Sequence, residues 1–294
     1  MKFFLDFVFP VKCVGCGQSG VVICEKCLQN IPILETQECP TCRRSSIFGG
    51  FCRTSGLGTA CANYDRCVDN IEYVNSASHA DDSSCMERFL DEKCYFDNLM
   101  VFCRYDKNGL LKLLIEQFKY NFSKEVLSTF EKIIIKQSDL LFNFLKQYYE
   151  QYFGTIYVVP VPLHKRRFKD RGFNQSELLA KVFIKVIESI KTIKSGTFEQ
   201  HFNLQSNFKF ELSQLLRRII YTEPQAKLNR CERLKNIKNA FAVKDYIKLN
   251  PKIPVILIDD VCTTGTTINE CAKALKQAGV QKISALVLAR GDGH

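Results

Sequence analysis

The sequence contains no tryptophan and only three methionines, and none of its apolar runs approaches the roughly 20 residues that a membrane-spanning helix requires. The apolar start of the chain is similar to a secretory signal, but Asp6 interrupts it and no small-residue cleavage site follows. We therefore expect a short N-terminal helix, no membrane insertion and a cytoplasmic location.

The composition suggests a globular protein with an anionic ligand. A chain of 294 residues can hold one large domain or two small ones, and its net charge of +10 favours an anionic substrate or partner. It contains 15 cysteines. In a cytoplasmic protein, this abundance favours metal ligation over disulfides.

Three C-x-x-C pairs near the N terminus predict a metal-binding region. Two such pairs complete a tetrahedral zinc site, so we expect one structural zinc on Cys13, Cys16, Cys24 and Cys27. The third pair, Cys39 and Cys42, is a candidate for a second site, to which other cysteines up to Cys94 would contribute. The alternatives are a redox pair or free buried thiols. Residues 43–84 are rich in Gly, Ser, Asn and Asp and are expected to be an irregular insertion.

A single run near the C terminus combines an apolar strand with phosphate-binding chemistry. Residues 255–258 are four consecutive aliphatic residues, which is typical of a strand buried on both faces of a parallel sheet. Asp259 and Asp260 follow where the strand is expected to end, and a threonine-rich loop around Gly265 then leads into a helix. Backbone N–H groups at a helix N terminus suit a phosphate, and adjacent carboxylates suit sugar hydroxyls. The run therefore predicts a cradle for ribose 5-phosphate.

This run resembles the phosphoribosyl-pyrophosphate (PRPP) signature of type I phosphoribosyltransferases. The resemblance implies that Asp259 and Asp260 hold the ribose hydroxyls. It implies that the loop wraps the 5′-phosphate through Thr263, Thr264, Gly265, Thr266 and Thr267. The alternative is an ordinary strand, turn and helix with an acidic turn. A P-loop is excluded because no Gly-Lys-Ser/Thr follows the glycine.

A dense cationic run follows an earlier strand, predicted at 155–160. Its five basic residues are candidates for binding pyrophosphate or DNA through charge-assisted hydrogen bonds. They are Lys165, Arg166, Arg167, Lys169 and Arg171. The alternative is a solvated basic loop.

The remaining periodicity predicts an α/β fold. We expect further strands at 99–105, 254–258 and 282–289, and helices at 110–118, 125–149, 178–190 and 267–278, the last ended by Gly279. Residues 191–215 show no clean period and are expected to be an insertion. The predicted domains are a zinc-binding region, 1–94, and a parallel-sheet α/β domain, 95–294.

Several motifs in fixed order resemble the ComF family over nearly the whole chain. Besides the cysteine pairs and the acid–threonine run, they are Phe118-Lys119-Tyr120, Val159-Pro160-Val161-Pro162-Leu163, Arg171-Gly172-Phe173-Asn174-Gln175 and the spaced set Gln225, Arg233, Asn236, Ala240 and Phe241. The resemblance implies a type I phosphoribosyltransferase core with a small zinc-binding region. It also implies a role in DNA uptake for natural transformation or in DNA utilisation, with competence-helicase-type partners.

The implied reaction is transfer of ribose 5-phosphate from PRPP, with magnesium bound to the pyrophosphate and the ribose hydroxyls. Purine-salvage relatives carry an acid at the first position of the phosphate loop, where this chain has Thr263. That role is therefore not carried over. The acceptor, the general base and any catalytic residue remain unassigned.

The charge distribution suggests a second kind of ligand. Residues 160–244 contain 18 Lys and Arg against 7 Asp and Glu, a net charge of +11. A basic face with nearby aromatic residues is typical of single-stranded DNA binding. We expect a PRPP-binding enzyme that also contacts single-stranded DNA. The alternatives are a non-catalytic DNA-binding adaptor regulated by PRPP, or basic residues that serve only PRPP and solubility.

Overall fold

The computed structural model describes residues 11–40, 45–46, 49, 94–120, 124–150, 152–197, 208–221, 236–244 and 250–291. The described helices and strands, numbered here in chain order, are α1 (Glu25–Gln29), β1 (Gln37–Glu38), β2 (Ser45–Ser46), β3 (Asn98–Tyr105), α2 (Leu110–Tyr120), α3 (Lys124–Lys136), α4 (Ser138–Tyr149), β4 (Gly154–Pro160), α5 (Lys165–Arg171), α6 (Gln175–Thr197), β5 (Phe208–Leu212), β6 (Leu216–Arg218), β7 (Phe241–Val243), β8 (Val255–Cys262), α7 (Thr266–Gln277) and β9 (Ile283–Gly291). None of the described helices is long and apolar enough to cross a membrane.

A five-stranded parallel sheet forms the centre of the fold, with strand order β3-β9-β8-β4-β5. This confirms the predicted α/β class and the predicted strands within it. β8 lies in the middle, and its aliphatic run is buried. Ile256 and Ile258 face one core cluster, while Val255 and Leu257 face the other. An uninterrupted aliphatic strand is therefore explained by two covered faces.

Different elements cover the two faces of the sheet. The first core cluster contains apolar residues of α2, α3, α4 and α6, with Phe118, Phe130 and Phe144 fully buried. The second contains residues of α7 and of the antiparallel pair β6–β7, including Ile268 and Phe241. The sheet is thus the middle layer of a three-layer α/β structure.

The single helix expected over 125–149 is two helices. α3 ends at Lys136 and α4 begins at Ser138. Between them, the buried amide of Gln137 donates hydrogen bonds to the carbonyls of Leu34 and Phe102, both at 2.7 Å. The apolar period continues across the break because both helices pack on the same core cluster. Periodicity alone could therefore not show the break.

The interval 191–215, expected to be an insertion, contains regular structure. α6 continues to Thr197, and β5 pairs in parallel with β4 as an edge strand of the central sheet. Phe208 and Phe210 of β5 are buried and flank the exposed Lys209. An alternation over so few residues is too short to be a secure sequence signal. Residues 198–207 lie outside the described part of the chain.

The cysteine-rich segment is hydrogen-bonded to the outer edge of β3, the edge that does not pair with β9. The Gln37 amide donates to the Val101 carbonyl at 2.8 Å and accepts from the Val101 N–H at 2.7 Å. The Leu34 N–H donates to the Phe102 carbonyl at 3.0 Å. Satisfying an exposed strand edge in this way protects it from pairing with another chain. The domain boundary at residue 94 stays a prediction. Most of 43–84 lies outside the described residues.

Candidate functional site

The two acids lie inside β8, near its carboxyl end, and not after the strand as predicted. The register of β4 with β8 ends at Pro160 and Ile258, so the last residues of β8 have no β4 partner. Each carboxylate binds the next backbone amide there. Asp259 Oδ1 accepts from the Asp260 N–H at 2.9 Å, and Asp260 Oδ1 accepts from the Val261 N–H at 2.8 Å. These bonds fix both side chains close to the backbone.

Lys119 pairs with only one of the two acids. Its Nζ lies 2.7 Å from Asp260 Oδ2, and both side chains are mostly buried, at 26% and 12% exposure. Burial lowers the pKa of Lys119, but the Asp260 charge and hydrogen bond outweigh burial and raise it. The lysine therefore stays charged and neutralises Asp260.

Asp259 has a weaker set of partners. Its Oδ1 accepts from Ser176 Oγ at 3.0 Å. Apolar residues, among them Phe183 and Leu288, line a cavity beside it. Burial and then the charge of Asp260 raise the pKa of Asp259 to about 7. The two adjacent acids therefore differ. Asp260 is paired with a cation, whereas Asp259 has a pKa close to neutral pH.

The Arg-Gly-Phe-Asn-Gln motif begins α6 and connects it to this site. Asn174 caps the helix, since its Oδ1 accepts from the Ser176 N–H at 3.1 Å, and its Nδ2 donates to the Val161 carbonyl at 3.0 Å. The cap places Ser176 beneath Asp259. Gln175 Nε2 donates to the Lys119 carbonyl at 3.4 Å, and Gln175 Oε1 accepts from Arg171 at 3.0 Å.

Three separate sequence motifs therefore meet at one place. Phe118-Lys119-Tyr120 contacts Arg171-Gly172-Phe173-Asn174-Gln175 and, through Lys119, the acid pair. Ser176, directly after the second motif, contacts Asp259. The Phe118 ring packs against Phe173 at 6.0 Å, and the Arg171 guanidinium lies 5.9 Å from the centre of the Tyr120 ring. Neither Lys119 nor Ser176 was predicted from the sequence to be a site residue. The available signal was that Lys119 lies within one motif and that Ser176 directly follows the other.

The threonine loop leads from β8 into α7. Gly265 has φ +80°, the left-handed conformation that glycine adopts without strain, and it immediately precedes the helix. No side chain at this position caps the helix. Thr264 Oγ1 and Thr266 Oγ1 are hydrogen-bonded at 2.8 Å. The Thr266 N–H of α7 donates to Thr264 Oγ1 at 3.5 Å. The loop thus presents hydroxyls and a helix N terminus beside the acids, an arrangement that suits a phosphate.

The cationic run is a short helix, α5, and not a loop. His164 caps it by accepting from the Arg166 N–H at 3.3 Å, and Gly172 ends it at φ +78°. None of its residues is buried. Burial and then the charges of Arg218 and Arg166 lower the pKa of His164. The helix therefore displays cations to solvent along its length.

The first four cysteines form a cluster suited to a metal. The sulfur atoms of Cys13, Cys16, Cys24 and Cys27 all lie within 4.8 Å of one another. Tetrahedral zinc with Zn–S bonds of about 2.3 Å needs sulfur atoms about 3.8 Å apart. A Cβ on Gly15 would lie 2.7 Å from Cys27 Sγ, so only glycine allows this approach.

Backbone groups support thiolate character at Cys13, whereas the hydrogen bond with Cys24 and then burial raise the pKa of Cys27 to about 12. Burial opposes ionisation of Cys13, but backbone N–H groups of Cys16, Cys24 and Gly15 outweigh burial and lower its pKa to about 6. Among the described residues, these four cysteines are the only metal-sized cysteine group. Cys39 is buried, and Cys42 lies outside the described residues. A second site therefore stays a prediction.

Similar proteins were found among curated sequences, although no family model matches the chain. It is 32% identical over 133 residues to Competence protein F of Haemophilus influenzae, covering 45% of this chain and 49% of that protein. It is 28% identical over 187 residues to Competence protein ComFC of Bacillus subtilis, covering 63% and 62%. It is 26% identical over 240 residues to Competence protein ComFC of Streptococcus pneumoniae, covering 78% and 87%.

These similarities support the resemblance to the ComF family. A further match, DNA utilization protein YhgH of Escherichia coli K12, is 30% identical over 138 residues, or 45% of this chain and 48% of that protein. Two of these four matches span about half of the relative's length. The motifs that define the site are those on which the resemblance to the ComF family rests.

Because the two acids differ, replacing each of them with asparagine should have opposite effects on stability at pH 8. Because the folded pKa of Asp259, about 7, exceeds its unfolded value, wild-type stability falls as pH rises from about 4 to 7. Asp259→Asn should therefore stabilise the protein at pH 8, by roughly 1–3 kcal/mol, and not at pH 4. Asp260→Asn should destabilise it at pH 8 because Lys119 loses its partner. Urea unfolding at both pH values measures this, and equal destabilisation by both variants at pH 8 would contradict it.

Proposed function

We propose that this protein binds PRPP at the carboxyl end of β8 and acts as a phosphoribosyltransferase-like protein in DNA uptake for natural transformation or in DNA utilisation. One observation carries the ligand assignment. β8 presents two adjacent carboxylates immediately before a hydroxyl-rich loop that ends at the N terminus of α7. The names of the relatives, competence proteins and DNA utilization proteins, support the biological role.

In this proposal, the ribose lies over the acid pair. Asp259 and Asp260 accept hydrogen bonds from its 2′ and 3′ hydroxyls, since each bonded carboxylate oxygen retains a further lone pair. The 5′-phosphate lies in the loop Thr263–Thr267, where threonine hydroxyls and the positive end of α7 favour an anion. The parallel sheet supports this position, because α/β folds bind ligands at the carboxyl ends of their strands.

The pyrophosphate is assigned to the cationic side of the site. Arg171 lies next to Gln175, which contacts the Lys119 backbone, so a guanidinium and the acid pair belong to one connected group. Bound magnesium would neutralise charge on the pyrophosphate. Arg171 itself would orient the pyrophosphate through paired hydrogen bonds, which a guanidinium makes better than an ammonium.

Titration calorimetry of PRPP with magnesium tests the ligand assignment. The double variant Asp259→Asn, Asp260→Asn keeps oxygen acceptors and side-chain shape but removes both charges, and its affinity should fall at least roughly ten-fold, about 1.4 kcal/mol. The double variant Asp139→Asn, Glu150→Gln removes two exposed charges from either end of α4 and should bind as wild type does. Unchanged affinity in the folded acid-pair variant would refute the proposal.

Catalysis is a separate question from binding. Pyrophosphate released from PRPP in the presence of a candidate acceptor would establish transfer. Binding without release would favour the alternative, in which PRPP is a regulatory ligand of a DNA-binding adaptor. Since Thr263 occupies the loop position at which purine-salvage relatives carry an acid, purine bases are not the expected acceptors.

We also propose that the four-cysteine cluster holds one structural zinc with no open coordination position. Metal analysis of protein purified without added metal should find about one zinc per chain, and Cys16→Ser or Cys24→Ser should lower that content. Cys103→Ala, which alters a buried cysteine of β3 outside the cluster, should leave it unchanged. A stably folded wild type without zinc would exclude this role.

Single-stranded DNA is proposed as a second ligand, at the exposed cations of α5. Neutralising phosphates releases counterions, so affinity should fall steeply with salt concentration. Replacing Lys165, Arg166, Arg167 and Lys169 with glutamine should lower the logarithmic salt slope by about one unit for each phosphate that is no longer neutralised. The control replaces four exposed lysines elsewhere: Lys26, Lys132, Lys136 and Lys252. Equal slopes in wild type and the α5 variant would locate DNA binding elsewhere.

A further inference from the structure

The cations of α5 do not all face the same neighbours. Arg171, at the end of the helix, contacts Gln175 and the Tyr120 ring, and through Gln175 it is joined to the Lys119 backbone. These contacts belong to the acid-pair site. Arg166, near the start of the helix, makes none of these contacts among the described residues. It lies instead over the ring of Tyr221, 4.9 Å from the ring centre.

Tyr221 is held by the N-terminal end of α5. His164 packs against its ring edge-on, with ring centres 5.2 Å apart, while Arg166 lies over the ring. His164 is itself fixed, because its Nδ1 accepts the Arg166 N–H. The tyrosine is nevertheless 40% exposed, and Ile219, Ile220 and Phe168, which are close in sequence to these residues, are also exposed. The result is an oriented aromatic ring at an accessible surface beside several cations.

Positive charge also reaches this surface from β6. Arg218, three residues before Tyr221, lies over Phe241 at 5.3 Å. Burial and then the charge of Arg167 lower its pKa to about 10, and its charge contributes to the lowered pKa of His164. The charge of Arg218 therefore acts on residues of α5 and also on Asp259. Like charges that converge in this way repel one another, and an anion bound between them would relieve the repulsion.

We propose that Tyr221, His164 and Arg166 form a nucleotide-binding site for single-stranded DNA, distinct from the site to which Arg171 belongs. The exposed tyrosine ring would stack on a base, and the Arg166 guanidinium would bind the adjoining phosphate. This pairing of a stacking ring with cations is how proteins hold single strands without sequence preference. A base within a duplex has no free face to offer, so the site prefers single strands. The inference rests on the proposed DNA contact and specifies where it occurs.

Paired measurements of two ligands test this division. Tyr221→Leu should weaken binding of a single-stranded oligonucleotide roughly ten-fold without changing its salt slope, because stacking neutralises no phosphate. Arg166→Gln should lower the slope by about one unit. Both should leave PRPP affinity unchanged. Arg171→Gln should weaken PRPP binding and leave oligonucleotide affinity unchanged.

Two matched controls separate stacking from general effects. Tyr221→Phe retains the ring and should bind the oligonucleotide as wild type does. Phe153→Leu removes another exposed aromatic ring, next to the amino end of β4, and should also have no effect. Wild-type single-strand affinity in Tyr221→Leu would overturn the proposed site. Parallel loss of PRPP and DNA binding in Tyr221→Leu and Arg171→Gln would show one shared site instead. If wild type binds PRPP but no oligonucleotide at low salt, both the DNA contact and this site are wrong while the PRPP proposal stands.

Discussion

The ion pair between Lys119 and Asp260 is the interaction on which the site depends. Two adjacent carboxylates at a mostly buried strand end repel each other, and burial makes that repulsion costly. The ammonium group of Lys119, 2.7 Å from Asp260, compensates one of the two negative charges and so weakens the repulsion between them. The same residue accepts the Gln175 amide at its carbonyl, and Gln175 holds Arg171. One position on α2 therefore supplies the counter-ion of Asp260 and, through its carbonyl, a contact that connects Arg171 to the site.

The fold explains how such distant segments meet. β8 is the central strand, so side chains at its carboxyl end are approached from several neighbouring connections. α2 follows β3 and brings Lys119, while α6 follows β4 and α5 and carries Ser176 in its first turn, beneath Asp259. In a parallel sheet these connections leave the strands at the same edge. The partners of the acids come from connections on both sides of β8.

Sequence patterns predicted the features that depend on neighbouring residues and missed those that depend on contacts between distant segments. Four aliphatic residues before two acids predicted a buried strand and a site, because both signals lie within one run. β8 proved longer because its parallel pairing with β9 continues past Ile258 to Cys262. The break at Gln137 and the contact of Ser176 with Asp259 depend on segments up to 103 and 83 residues away, which leave no period in the sequence. The PRPP, zinc and DNA assignments stay predictions.

The unequal state of the acids has a consequence for any ligand. Asp260 is paired with Lys119 before a ligand arrives, whereas Asp259, with a pKa of about 7, accepts hydrogen bonds from Ser176 and the Asp260 N–H. A ligand that donates hydrogen bonds to ionised Asp259 must favour loss of its proton. By linkage, loss of that proton must then favour the ligand to the same degree. Binding at this site and the protonation of Asp259 are therefore coupled near neutral pH, because burial and then the charge of Asp260 raise the pKa of Asp259 into that range.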